Sequence, residues 1–238
     1  MTIFEILDYQ ETDLGTLILR RRELLSQPGI IVTEVTLNHE FLMSSYLTES
    51  ERELSRIGLQ LVRQNRNSIS GDDRKLSVLV GGLGLGYTAA EALESNDVAL
   101  VEVVEFLPPV IDWLLTEKIP LAAKLNSDRR LQVNLGDIYF KLMTKASSAF
   151  DLIAIDVDHS PEDVLGEQSY GFYSVAGLRA ARENLQPGGV LAIWSYAADT
   201  PLLENMRTVF SAVQVHEITV WNDLIDEEQT DWLFFGQR

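Results

Sequence analysis

Five short stretches of this chain carry residue types that could do chemistry, and they recur at intervals. The first is Gly82-Leu83-Gly84-Leu85-Gly86, which follows the apolar run Val78-Leu79-Val80 and precedes residues 87–93, which have helix-start composition. Glycine at such a corner permits positive φ and lets a ligand approach the backbone closely. Glu105 ends the next apolar run about 20 residues on, the spacing of a ribose-binding carboxylate. Gly136-Asp137 closes a third run. Asp156, Asp158 and His159 follow a fourth, and Ser195-Tyr196 ends a fifth. Each alone reads as a cap or a turn. Their recurrence at successive run ends predicts a site.

The residue types narrow the ligand. Glu105 can accept from both ribose hydroxyls, and Asp137 from an adenine amino group. No basic residue lies in 81–87 and no Lys-Ser/Thr follows, which argues against a triphosphate. The glycines run G-x-G-x-G, without the third spacing of a nicotinamide dinucleotide site. A nucleoside without phosphate, S-adenosylmethionine or a relative, suits this pattern. His159 beside Asp156 and Asp158 reads either as a general base for an acceptor proton or as a solvated loop histidine. His39 and His216 read as structural, and three scattered histidines make no metal site. Of the aromatic residues Tyr170, Tyr173, Trp194 and Tyr196, only Tyr196 lies past a strand's carboxyl end, so it is the acceptor-pocket candidate.

These residues need elements to hold them. From residue 76 onward apolar runs alternate with helical stretches, the last two runs lacking a helix between them. That predicts a Rossmann-like α/β fold, a mostly parallel sheet with a C-terminal antiparallel hairpin. Pro187-Gly188-Gly189 reads as the turn into the strand at 190–195. Before this part, three β-prone runs at 3–7, 16–20 and 30–37 predict a small antiparallel β-domain over 1–48. Arg20-Arg21-Arg22 within it reads as a solvated strand end. A helix over 49–64, with Leu54, Ile57, Leu61 and Val62 on one face, leads into the Rossmann-like domain at 49–238. The polar stretch 65–73 reads as the boundary.

The 238 residues include nineteen basic and thirty-six acidic side chains, a formal charge of −17. Nucleic acid is a poor partner for such a surface, whereas a cationic small-molecule acceptor is compatible with it. There is no cysteine, which excludes disulfides, thiolate metal sites and thiol nucleophiles. The N-terminus lacks a basic region followed by an apolar core, and no apolar run approaches a membrane span. A cytoplasmic protein without membrane contact is expected; a homodimer is left open.

The quoted motifs resemble class I S-adenosylmethionine-dependent transferases, and within them the spermidine synthase-like, or polyamine aminopropyltransferase-like, branch. VLVGGLGLGYTAAEAL is similar to the glycine motif, VVEFLPPVIDWL to the ribose motif with Glu105, and LQVNLGD to the adenine segment with Gly136 and Asp137. FDLIAIDVDHSP resembles the segment of the catalytic aspartate, which falls on Asp156. Asn38-His39-Glu40-Phe41 resembles the family's Asp-Glu-Phe stretch. The resemblance implies an adenosyl site at Gly82, Leu83, Gly84, Gly86, Glu105, Gly136, Asp137 and Asp156.

Departures from the pattern bear on the reaction. The family holds the aminopropyl amine with an aspartate inside the glycine motif, where this chain has Leu85. The second catalytic aspartate falls on His159, and the family's Tyr-Gln pair is not placed. Methyl transfer from S-adenosylmethionine to a small acceptor is therefore the leading expectation. The cofactor's own carboxylate would be accepted by N–H groups around 82–86. Aminopropyl transfer from decarboxylated S-adenosylmethionine, using shifted acids, is the alternative. A non-catalytic module on the same fold is the third. No metal is expected in any of them.

Overall fold

A computed structural model describes residues 3–69, 74–144, 149–157, 160–164 and 171–238. The first four strands, β1 (Phe4–Thr12), β2 (Gly15–Glu23), β3 (Ile31–Leu37) and β4 (Glu40–Ser44), form one antiparallel sheet in that order. The sequence reading expects only three. β4 escapes it because five residues opened by an acid show no clear alternation. Asn38 and His39, both at positive φ, make the tight β3–β4 turn.

Helix α1 (Glu49–Ile69) runs past the predicted end at Gln64. Its polar last turns stay helical because their side chains find backbone acceptors. Asn65 donates to the Gly188 carbonyl at 3.1 Å and Arg66 to that of Arg74 at 3.0 Å. Leu54 and Val62 are fully buried on its inner face, and at Gly58 an added Cβ would lie 2.6 Å from Leu152.

The second sheet has seven strands: β5 (Leu76–Gly81), β6 (Val98–Glu105), β7 (Leu131–Leu135), β8 (Phe150–Ile155), β9 (Leu185–Ser195), β10 (Ala212–Asn222) and β11 (Glu227–Gln237). Their order is β10-β11-β9-β8-β5-β6-β7. All neighbours are parallel except β11, which runs antiparallel to β9 and β10. Between them come α2 (Tyr87–Leu93), α3 (Pro108–Leu115), α4 (Ala122–Ser127), α5 (Ile138–Met143), α6 (Val175–Glu183) and α7 (Leu202–Val209). The short α4 has no sequence expectation behind it. Pro187-Gly188-Gly189 is not a turn before β9 but lies inside it, where the register with β8 shifts. Proline inside a strand is tolerated at such irregularities.

Alternate residues of β5 face opposite sides, so Val78 and Val80 join one apolar cluster and Leu79 the other. The first cluster also takes in Leu17, Leu19 and Val35, which ties the small sheet to the large one. Polar contacts reinforce it: Trp113 donates to Asp8 at 2.6 Å, and Gln27 and Tyr46 both donate to Asp223. Strand order switches at β5, whose successor β6 lies on one side and β8 on the other. Ligands of open α/β sheets bind at that crevice. Among the described residues, no helix is long and apolar enough to cross a membrane.

Candidate active site

The carboxyl ends of β5 to β9 open into one cavity of about 840 Å³, bounded by β4 and by the β10–β11 hairpin. That is within the usual range for small-molecule pockets. The glycine loop forms its floor. Gly82, Gly84 and Gly86 all have positive φ, at 86°, 52° and 90°. At Gly82 a second constraint applies, since an added Cβ would sit 2.5 Å from the Asp156 carbonyl oxygen. The missing side chain lets the ends of β5 and β8 close together.

Glu105 lies in the cavity wall and is 6% exposed. The backbone N–H of Leu83 donates to one carboxylate oxygen at 2.7 Å, and that of Leu107 to the other at 2.8 Å. Burial raises its pKa, and these amide donors oppose that. A carboxylate has about four lone-pair positions, so each oxygen keeps capacity for a ligand hydroxyl. Asp137 caps α5, accepting from Tyr139 N at 2.8 Å and Phe140 N at 3.2 Å. It also lines the cavity, as does Gly136. Both acids are therefore positioned by backbone amides.

The loop's amides are largely engaged already. Gly82 N donates to Val104 O, Leu83 N to Glu105 and Gly86 N to Leu83 O. Of the amides of 82–86 expected to cradle a cofactor carboxylate, those of Gly82, Leu83 and Gly86 are therefore already taken.

A second group of acids faces the same cavity. Asp156 accepts from Thr88 Oγ1 at 2.6 Å, and desolvation followed by nearby Asp231 pushes its pKa up to about 6. Asp231 opens the buried part of β11 and is 8% exposed. Ser50 donates to its Oδ2 at 2.7 Å, while Oδ1 is buried without a hydrogen-bond partner among the described residues. Glu51, in the first turn of α1, places Oε2 3.2 Å from the same Ser50 hydroxyl, whose single proton the two carboxylates share. Burial, then the charge of Asp156 and that of Asp231, push Glu51 up to about 8.

Every described candidate except Ser195, which is buried and donates to the Ala197 carbonyl, lines this cavity, including Leu85, at 3% exposed, and Tyr196, whose hydroxyl donates to Asp163 at 3.0 Å. Asp158, His159 and Tyr170 lie outside the described residues. Sequence reasoning missed Glu51, Ser50, Thr88 and Asp231. The one available signal was an acid opening the otherwise apolar DWLFFG. The Arg20–Arg22 run is more than a solvated strand end. Arg20 and Arg22 clamp buried Glu34 from both sides, at 2.9 and 2.8 Å. His39 sits in its exposed turn, and His216 stacks edge-on against Phe235. Among the described residues, no three potential ligand groups come together as a metal site.

No protein-family model matches the chain. Over 118 residues it is 33% identical to a polyamine aminopropyltransferase of Prochlorococcus marinus, a match spanning 50% of this chain and 40% of that protein. Among solved structures, a spermidine synthase in complex with the transition-state analogue AdoDATO superposes with a TM-score of 0.72 at 15% identity. It covers 98% of this chain and 73% of that one. The spermidine synthase of Thermotoga maritima gives 0.71 at 14% identity, over 98% of this chain and 72% of its own. Human methyltransferase-like protein 13 with SAH gives 0.57 at 19% identity, covering 79% and 82%. The chain thus shares the fold of these spermidine synthase and methyltransferase structures, and half of it is similar in sequence to part of a polyamine aminopropyltransferase.

Proposed function

We propose that this chain transfers an aminopropyl group from decarboxylated S-adenosylmethionine to a polyamine acceptor such as putrescine. The observation that carries this reading is the acid end of the cavity. Glu51, Asp156 and Asp231 share it, and among the described residues no lysine or arginine forms an ion pair with any of them. Such a wall disfavours the carboxylate of S-adenosylmethionine and favours ligands that bring ammonium groups. The likeness to aminopropyltransferases supports the same choice over methyl transfer, the leading expectation from sequence.

Glu105 would hold the ribose and Asp137 the adenine amino group, with the glycine loop beneath them. The sulfonium donor supplies the transferable alkyl group. The acceptor nitrogen forms the new C–N bond, the C–S bond breaks, and methylthioadenosine leaves. The acceptor amine must first lose a proton, and Asp156 is placed to take it. A group with a pKa of about 6 is mostly ionised at pH 7 yet basic enough to be useful there. The cavity walls orient the two reactants, which is where most of the acceleration in such a displacement arises.

Leu85 is the observation favouring methyl transfer, because it is apolar where an aminopropyl site would use an acid. Titration of the wild type with S-adenosylmethionine and with its decarboxylated form separates the two readings. The decarboxylated form should bind at least tenfold more tightly and turn over with putrescine to give methylthioadenosine. Leu85→Asp should widen the preference further, by about 10–150-fold for one added charged contact. Tighter binding of S-adenosylmethionine by the wild type would instead return the chain to methyl transfer.

A further inference from the structure

Four acidic side chains among the described residues are less than a tenth exposed: Glu34, Glu105, Asp151 and Asp231. Three are fully provided for. Glu34 sits between Arg20 and Arg22, Glu105 receives two backbone amides, and Asp151 takes a bidentate Arg74 together with Ser77 N. Asp231 has one hydroxyl, from Ser50, and an Oδ1 with no partner among the described residues. Buried carboxylates without compensation are costly, so natural proteins pair them. The buried Trp194 Nε1–H faces Asp231 beyond strict hydrogen-bond geometry and opposes the rise in its pKa, which leaves the carboxylate only partly compensated.

Glu34 and Glu105 also line the cavity, but only Asp231 does so beside a second acid that lacks a basic partner among the described residues, Glu51. Ser50 Oγ contacts both carboxylates, which brings an acid of α1 and one of β11 to a single point. Ser55, one turn further along α1, donates to the Thr88 carbonyl at 2.7 Å, and Thr88 in turn holds Asp156. The group therefore lies in the same cavity as the start of α2, which Leu85 and Gly86 lead into.

We propose that Asp231 and Glu51, joined by Ser50, form a subsite for a primary alkylammonium group and supply the countercharge that Leu85 cannot. An ammonium has three donors, and the carboxylates of Asp231 and Glu51, which both line the cavity, are acceptors for them. The ammonium comes either from the aminopropyl arm of the donor or from the acceptor amine. The proposal rests on the aminopropyl reading for the nucleoside part of the ligand, but not for the ammonium itself.

The test is calorimetric titration of the wild type, Asp231→Asn and Glu51→Gln with three probes. These are methylthioadenosine, which has no ammonium, decarboxylated S-adenosylmethionine, and putrescine both alone and with methylthioadenosine. In Asp231→Asn the new amide oxygen can still accept from Ser50, so the substitution removes charge while sparing the local hydrogen bond. Methylthioadenosine should bind all three proteins alike, which also reports that the variants are folded. At least one ammonium ligand should bind Asp231→Asn tenfold or more weakly, with a smaller loss in Glu51→Gln. A loss confined to the decarboxylated donor assigns the subsite to its aminopropyl arm, and one confined to putrescine assigns it to the acceptor. Equal binding of both ammonium ligands to wild type and variants overturns the subsite, as does a wild type that binds neither. Failure of methylthioadenosine to bind the wild type refutes the adenosyl reading alone, since putrescine by itself still judges Asp231.

Discussion

The two halves of the cavity treat their carboxylates differently. On the β5–β7 side, Glu105 and Asp137 are held by backbone N–H groups, two apiece. On the side made by α1, β8 and β11, Asp156, Asp231 and Glu51 are held by hydroxyls of Thr88 and Ser50. Backbone donors belong to the fold and are present with or without ligand, so the first half is a finished cradle. A lone hydroxyl compensates a buried carboxylate poorly, and each acid there has its pKa raised, chiefly by burial. The second half is completed by positive charge brought from outside. Stability and binding are coupled in the first half and opposed in the second.

Glu105→Ala gives the largest expected effect. It leaves the Leu83 and Leu107 amides without their acceptor, and each buried unsatisfied donor costs about 1–3 kcal/mol. Chemical denaturation should therefore show a loss of about 2–6 kcal/mol. Methylthioadenosine binding should fall with it. Unchanged stability together with lost binding would mean the cradle is not part of the fold.

The second half predicts a stability that falls as pH rises. Glu51 and Asp156 have folded-state values of about 8 and about 6, above the ordinary 4.5 and 3.8. Between those limits the folded chain keeps protons that the unfolded chain has released. Stability is then greater at the acid end and falls as pH rises through the folded values. The thermal midpoint of the ligand-free protein should decline from about pH 5 to pH 8. Asp231→Asn should flatten the decline and raise the midpoint at pH 8, because it removes one repelling charge. A midpoint that rises with pH over this window, in wild type and variant alike, would contradict a half that lacks countercharge.

The same contrast explains what could be read from sequence. The first half lies within consecutive strand–loop–helix units, so glycine spacing and the acid at the end of each strand point to it directly. Gly82 and Glu105 are legible because local backbone geometry demands them. The second half joins Ser50 and Glu51 to Asp231, 181 positions from Ser50. No local pattern records that contact, and Glu51 looks like an ordinary acid in the first turn of a helix. The fold was legible for a related reason: alternation of strands and helices is a local property. The fourth N-terminal strand, the extra turns of α1 and the irregularity inside β9 depend on distant partners and were not.

Tyr196 tests the boundary between the halves and should show the smallest effect. It follows β9, stands at the cavity rim, and is 49% exposed. Its hydroxyl donates to Asp163, and that carboxylate raises the phenol's pKa. Solvent weakens such a bond, so Tyr196→Phe should leave folding stability nearly unchanged, as at other surface sites. The ring remains in the variant, so any contact of its face with an acceptor chain is preserved. What is lost is a polar group at the mouth, one step beyond Asp156. If that group helps to admit a diamine, the acceptor KM should rise by roughly two- to fivefold, under about 1 kcal/mol, with kcat unchanged. The KM for the adenosyl donor should not move, because Glu105 and Asp137, proposed to hold its ribose and base, lie at the ends of β6 and β7 on the other side of β5. A rise in donor KM instead would place Tyr196 with the cradle, and a fall in kcat would bring it to the reacting atoms beside Asp156.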